Sequence, residues 1–316
     1  MNPARVIKSC LAALFAGSLL LGACQSSTSA PTKTTEPRDI HTAHYDLLLP
    51  AEQDLSRPGG KALLILFPSF GDKAADTRTE SKIPDAAVKA GIVVMLMDFN
   101  AHILMSEGEM TAMRSTIDSA ITAYGLNARN TFIGGFSAGG NVTMLLTKSL
   151  VAEPDPLLTV KGIFAVDAPL DLSLLYEANK RKLERPIFPE YKSEAEWVVS
   201  YLDSVLGDPA TDSLVYETRS PLRPTQASVL PLKDLPVRLY TEPDTTWWRV
   251  KRGEPYEDLN SYAFERIHGA LVAVGNERAE LILTKDRGIQ HGQQHPHAWS
   301  IVDEQELVKW MLKLAE

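Results

Sequence analysis

Apolar residues fall along this chain in two rhythms. Short continuous runs (Lys61-Ala62-Leu63-Leu64-Ile65-Leu66-Phe67, ended by Pro68, and Ile92-Val93-Val94-Met95-Leu96-Met97, ended by Asp98) predict strands buried on both faces. Thr131-Phe132-Ile133, Val160 to Val166, Pro236 to Tyr240 and Ala279 to Thr284 add four more. Between them the spacing turns helical. Residues 79–90 read as a helix closed by Gly91. Residues 107–124 put Met110, Met113, Ile117, Ile121 and Tyr124 on one face, with Gly125 as the stop. Residues 138–150, 257–274 and 303–315 complete the helical set. Repeated strand–helix alternation predicts an α/β fold, a mostly parallel sheet with helices on both faces.

One region breaks the alternation. Residues 171–230 hold helical pieces (Leu172–Arg181, Ser193–Leu206) and many prolines but no strand. An insertion that does not extend the sheet is expected to lie over the strand ends as a helical cap.

The N-terminus follows neither rhythm. Arg5 and Lys8 precede an apolar stretch from Cys10 to Leu21, too short to span a bilayer comfortably and suited to a signal-peptide core. Leu21-Gly22-Ala23-Cys24 resembles the lipobox of bacterial lipoproteins. That resemblance implies a signal peptide over residues 1–23 and lipidation of Cys24. Gln25 in place of Asp then implies the outer membrane, facing the periplasm. Residues 25–38 are rich in Ser, Thr, Pro and Lys, so 24–40 reads as a lipidated cysteine and flexible tether ahead of a domain at 41–316. The lipid anchor makes the membrane a partner of a domain that is not itself embedded.

Composition narrows the chemistry. The formal net charge of −8 argues against nucleic acid as a partner. Cys10 and Cys24 are the two cysteines, so the domain after Cys24 has no disulfide and no thiol nucleophile. A serine stands out instead. Gly135-Phe136-Ser137-Ala138-Gly139 follows a strand and opens a helix. On so sharp a turn the serine backbone is strained and bulky neighbours two residues away would clash. The turn exposes Oγ and leaves the Ala138 N–H at a helix N-terminus, ready to stabilise an oxyanion.

In this context the chain resembles the α/β-hydrolase superfamily in element order over residues 45–316, most sharply at 124–150, where it looks like the esterase and peptidase members. The resemblance implies a Ser–acid–His order and acyl transfer with no cofactor and no metal. On it, Asp244 in Tyr240-Thr241-Glu242-Pro243-Asp244 matches the position of the acid, with Glu242 in reserve. The base follows the last strand, in His291-Gly292-Gln293-Gln294-His295-Pro296-His297, which holds three of the chain's seven histidines. His297 is the first choice, His295 the second, and His291 is peripheral. The second oxyanion donor is expected in Pro68-Ser69-Phe70-Gly71-Asp72, at the N–H of Phe70. Trp247 and Trp248 either line an apolar or sugar-like pocket or pack the cap. Asp98, Asp167 and Asp171, at or just past strand ends, read as caps of the following helices.

The function expected is hydrolysis of a carboxylic ester or related acyl bond on a small-molecule or peptide substrate by Ser137, His297 and Asp244. Peptidase or amidase chemistry uses the same residues. Two readings compete from outside that class: a zinc site on the histidine cluster, which lacks an accompanying His-Glu-x-x-His helix, and a non-catalytic binding lipoprotein, which predicts a disrupted triad.

Overall fold

The computed structural model describes residues 37–51, 59–99, 103–185 and 189–316. Cys10, Cys24, the signal-peptide span and nearly all of the tether lie outside the described residues. Among the described residues, no helix is long and apolar enough to cross a membrane.

Eight strands among these residues form one sheet: β1 (Arg38–His41), β2 (Tyr45–Leu49), β3 (Leu63–Phe67), β4 (Val93–Met97), β5 (Thr131–Phe136), β6 (Val160–Val166), β7 (Val237–Thr241) and β8 (Ala279–Leu283), in the order β1-β2-β4-β3-β5-β6-β7-β8. β1 pairs antiparallel with β2 and β2 with β4; the other neighbours are parallel. Every residue of β3, β4, β5 and β7 is buried. The pleat explains why β3 and β4 are wholly apolar. Leu63, Ile65 and Phe67 point into one core layer with Ile117, Val142 and Phe264, while Leu64 and Leu66 point into the other with Ala87, Leu307 and Met311. With helices on both faces, a polar residue on a central strand must be paired, as Thr131 is with Ala128 O, Arg238 with Glu280 and Glu306, and Thr241 with Asp167.

The helices are α1 (Ala74–Glu80), α2 (Ile83–Lys89), α3 (Glu107–Tyr124), α4 (Ala138–Ala152), α5 (Leu172–Leu183), α6 (Pro189–Leu206), α7 (Ser213–Arg219), α8 (Gln226–Val229), α9 (Thr245–Arg252), α10 (Asn260–Ala273) and α11 (Glu304–Ala315). α3 runs over the expected residues. Ser106 and Glu109 form its capping box and Gly125 ends it in a left-handed conformation.

Three expectations need correction. The single helix at 79–90 is two helices. Ser81 is extended (φ −112°, ψ 135°), and Pro84, which has no N–H to continue α1, sits in the first turn of α2 where it is tolerated. Helix 257–274 likewise begins later, after a 3-10 turn at Tyr256–Asp258 and an extended Leu259. The sheet also starts earlier than residue 41: β1 begins at Arg38, inside the span read as tether, and pairs in register with β2 (Arg38 with Leu49, His41 with Asp46). Neither edge pair has a long apolar run to announce it.

Residues 171–230 hold α5 to α8 and no strand, as expected. They build a small core of their own, with Leu172, Tyr176, Val198, Leu202, Leu206 and Tyr216 packed on Ile103 and Leu104.

Candidate active site

β3 and β5 are adjacent, yet the chain leaves them in opposite directions, to β4 on one side and β6 on the other. Such a switch opens a crevice at the carboxyl ends of the strands. Ser137 stands there, between β5 and α4, with φ 53° and ψ −124°, a strained conformation for a residue with a side chain. Two backbone bonds hold the turn: Ser137 N–H donates to Val166 O (2.9 Å) and Gly140 N–H to Ser137 O (2.9 Å). The flanking glycines are required by backbone, not by flexible neighbours. A Cβ on Gly135 would lie 2.2 Å from Gly139 O, and one on Gly139 would lie 2.4 Å from both Phe67 O and Pro68 O. The second clash also fixes the β3 loop directly against the serine turn. Ala138 begins α4, so its N–H has no acceptor within the helix.

His297 reaches the same crevice. Its Nδ1 is 2.6 Å from Oδ2 of Asp167, which is 4% exposed. Because a carboxylate only accepts, Nδ1 carries the proton and the lone pair of the neutral ring is on Nε2. The other oxygen of Asp167 accepts from Thr241 Oγ1 at 2.6 Å. The Thr241 proton being spent there, the 2.7 Å contact between Thr241 and Ser261 has Ser261 as donor. Asn260 Nδ2 donates to Asp167 O (2.8 Å), and Asp167 itself takes a positive φ of 42°. The Phe136 ring, next to Ser137 in sequence, packs on the His297 ring at 4.5 Å.

The carboxylate beside the imidazole is therefore not Asp244. Asp244 caps α9 by accepting from Trp247 N–H (2.8 Å), and its other oxygen takes Gln294 Nε2 (3.2 Å). Glu242, the reserve, is 2% exposed and is occupied by Thr284 Oγ1 and by the N–H groups of Arg287 and Gly288. It ties the strand end to the loop that leads towards the histidines. Asp167 was visible in the sequence as a strand-end acid, but the cap of the following helix is Asp171, which accepts from Ser173 and Leu174 N–H. Asp98 is not the cap of the following helix either, since Ser106 caps α3; its carboxylate instead accepts from the N–H of Ala74 (3.3 Å) at the start of the earlier helix α1.

The three histidines of the loop part company. His295 Nδ1 donates to His297 O (2.9 Å), and its ring is wedged against Trp247 at 4.8 Å. Burial, then the neighbouring His297, push its pKa down, so it is neutral and its Nε2 accepts from Arg252 Nη2 (3.4 Å). His291 is exposed and 3.9 Å from Glu80. Among the described residues, no three His, Cys, Asp or Glu side chains are grouped to hold a metal ion. Phe70 projects from the β3 loop, 51% exposed, and meets the Trp197 ring of α6 at 5.0 Å.

Ser137, Asp167 and His297 line one cavity of about 160 Å³, closed by cap and α9 residues that include Asn179, Lys182, Glu194, Trp248 and Arg252. The sequence matches no protein-family model and no curated protein. Solved structures match it at low identity. One is carboxyl esterase 2 from the mycorrhizal fungus Tuber melanosporum (TM-score 0.55, 15% identity, 92% of this chain and 89% of that one). Another is an S-formylglutathione hydrolase from Agrobacterium tumefaciens (0.54, 11%, 89% and 95%). A third is a hormone-sensitive lipase from a metagenome library (0.54, 13%, 89% and 85%). The chain has the α/β-hydrolase fold. Within that α/β-hydrolase fold, β5 carries Ser137, the strand beside it carries Asp167, and the loop before α11 carries His297.

Proposed function

We propose that this α/β-hydrolase-fold protein is a serine hydrolase that cleaves a carboxylic ester or a related acyl bond through an acyl-enzyme. Ser137 Oγ attacks the carbonyl while His297 Nε2 takes its proton. His297 then protonates the leaving alcohol, and a water repeats the sequence on the acyl-enzyme. Asp167 holds the imidazole in the tautomer that keeps Nε2 free and stabilises the charged ring. The N–H of Ala138, with one from the β3 loop at Phe70, takes the negative charge of the tetrahedral intermediate.

One observation carries the reading: an imidazole anchored at Nδ1 by a buried aspartate lines the same cavity as a strained, strand-end serine. Within this reading Cys24 is a lipid anchor that keeps the enzyme in the cell envelope, at the outer membrane. Replacing Cys24 by Ala moves the protein from the membrane to the soluble fraction if that is so, and leaves it membrane-bound if not.

The chemistry is tested by labelling the purified protein with a fluorophosphonate, which reacts with activated serines. The parent is labelled; Ser137→Ala is not, and His297→Ala is labelled at least a hundredfold more slowly. A folded parent that stays unlabelled contradicts the reading.

A further inference from the structure

The cavity beside Ser137 has a mixed wall, in which apolar residues such as Leu175, Val198 and Leu259 alternate with an unusual number of charged ones. Lys182, Glu194, Arg252, Glu254 and Asp258 all face it. Most of these charges are answered. Lys182 Nζ is 2.9 Å from Glu254, both nearly buried. Asp258, whose side chain is 1% exposed, is gripped by Arg181 (2.8 Å) and Arg185 (2.7 Å). Asp167 is spent on His297 and Thr241.

Arg252 is the exception. Its guanidinium lies over the Tyr191 ring at 3.9 Å, with Trp248 at 5.8 Å, which fixes the plane of the fork. Its polar contacts are poor for that plane. Nη2 reaches the neutral His295 at 3.4 Å, and Nη1 is 3.7 Å from Glu194, a half-exposed carboxylate beyond hydrogen-bond distance. Nε is buried and has no partner. Buried donors are almost always satisfied, and a guanidinium offers five of them in a geometry suited to a carboxylate. Arg252 is thus a preformed cation in the cavity of the nucleophile whose nearest carboxylate, Glu194, is half-exposed and 3.7 Å away, so it is the most weakly answered charge of the lining.

We infer that Arg252 is the specificity residue of the site and that the substrate is a short ester carrying a carboxylate, bound to Arg252 while its ester carbonyl meets Ser137. This rests on the ester-hydrolase reading above. The size agrees: about 160 Å³ is well below the several hundred Å³ of pockets that take larger ligands. Trp248 then serves to hold the guanidinium, and His295, neutral and acceptor at Nε2, orients it without neutralising it.

The test compares two esters differing in one charge, 4-nitrophenyl hydrogen glutarate and 4-nitrophenyl methyl glutarate, on the full chain. The anionic ester is expected to have a kcat/KM at least tenfold higher. Arg252→Gln is expected to cut that ratio at least tenfold and Arg252→Lys to retain most of it. A ratio near one in the parent, or a ratio unchanged in Arg252→Gln, overturns the inference. So does collapse of the ratio in Lys182→Met but not in Arg252→Gln. Glutarate binding, followed by tryptophan fluorescence in the parent and in Arg252→Gln, is read separately. Binding lost in the variant, with neither ester cleaved, upholds the anion site and removes the hydrolase reading. Cleavage of both esters at equal rates, with no glutarate binding, does the reverse.

Discussion

β6 and β7 are neighbouring parallel strands, both buried, and each is followed by acidic residues at the same edge of the sheet. The first ends in Asp167, the second in Glu242 and Asp244. Their fates differ. Asp167 turns back with a positive φ, is shielded from water, and spends its oxygens on His297 and Thr241. Asp244 stays partly exposed and caps a helix; Glu242 pins a loop. A carboxylate beside an imidazole orients the ring only if its own position is fixed, and the Ser261–Thr241–Asp167 chain fixes it. The imidazole meets the carboxylate at the end of β6, and its ring packs on Phe136 at the end of β5.

The largest way to break the comparison is at the serine turn, which both acids share. Gly139→Ala puts a methyl into the backbone of Phe67 and Pro68 and is expected to abolish activity and cost at least ~3 kcal/mol of stability, checked by denaturant melts. Next is the carboxylate itself. Asp167→Asn allows the wrong tautomer and is expected to lower kcat roughly 10³- to 10⁴-fold, measured on any ester the parent cleaves. Thr241→Val keeps the shape but removes a hydrogen bond to a charged oxygen, a loss of about 1.5–3 kcal/mol at most. An activity drop of roughly tenfold is expected from it. Glu242→Gln acts on stability, since three donors lose a charged acceptor. About 1–3 kcal/mol is expected in a thermal or urea melt, with kcat changed far less than in Asp167→Asn. Asp244→Asn keeps an effective helix cap and is expected to change neither stability nor rate by more than about twofold.

What the sequence made legible follows the same divide. Strands β3 to β8, the long helices and the cap span are carried by the pattern of apolar positions, most plainly in β3 and β4, where burial on both faces forces continuous apolar runs. The serine turn is carried by two glycines whose need is steric and local. The pairing of acid and base is not local. Which strand-end carboxylate meets His297 depends on the path of residues 284–297, which have no period to read. That path is set by contacts such as His295 N–H to Gly288 O (2.9 Å), and the two segments lie so close that a Cβ on Gly288 would be 2.3 Å from the carbonyl oxygen of His295. Asp167 was in view as a strand-end acid, but Asp98 and Asp171 stand in the same kind of place, and nothing in the spacing separates a helix cap from a partner of the imidazole. Arg252 has no motif around it; its significance comes from unmade hydrogen bonds, visible only once the fold is assembled.

Asp167, and not Asp244, is the carboxylate bonded to His297, and the proposed chemistry at Ser137 turns on that difference. The most direct measurement is the rate of fluorophosphonate labelling of Ser137 in Asp167→Asn and Asp244→Asn side by side, with both variants checked as folded. The account predicts at least a hundredfold slower labelling in Asp167→Asn and a rate within about twofold of the parent in Asp244→Asn. Parent-like labelling in Asp167→Asn, or a large loss confined to Asp244→Asn, contradicts it.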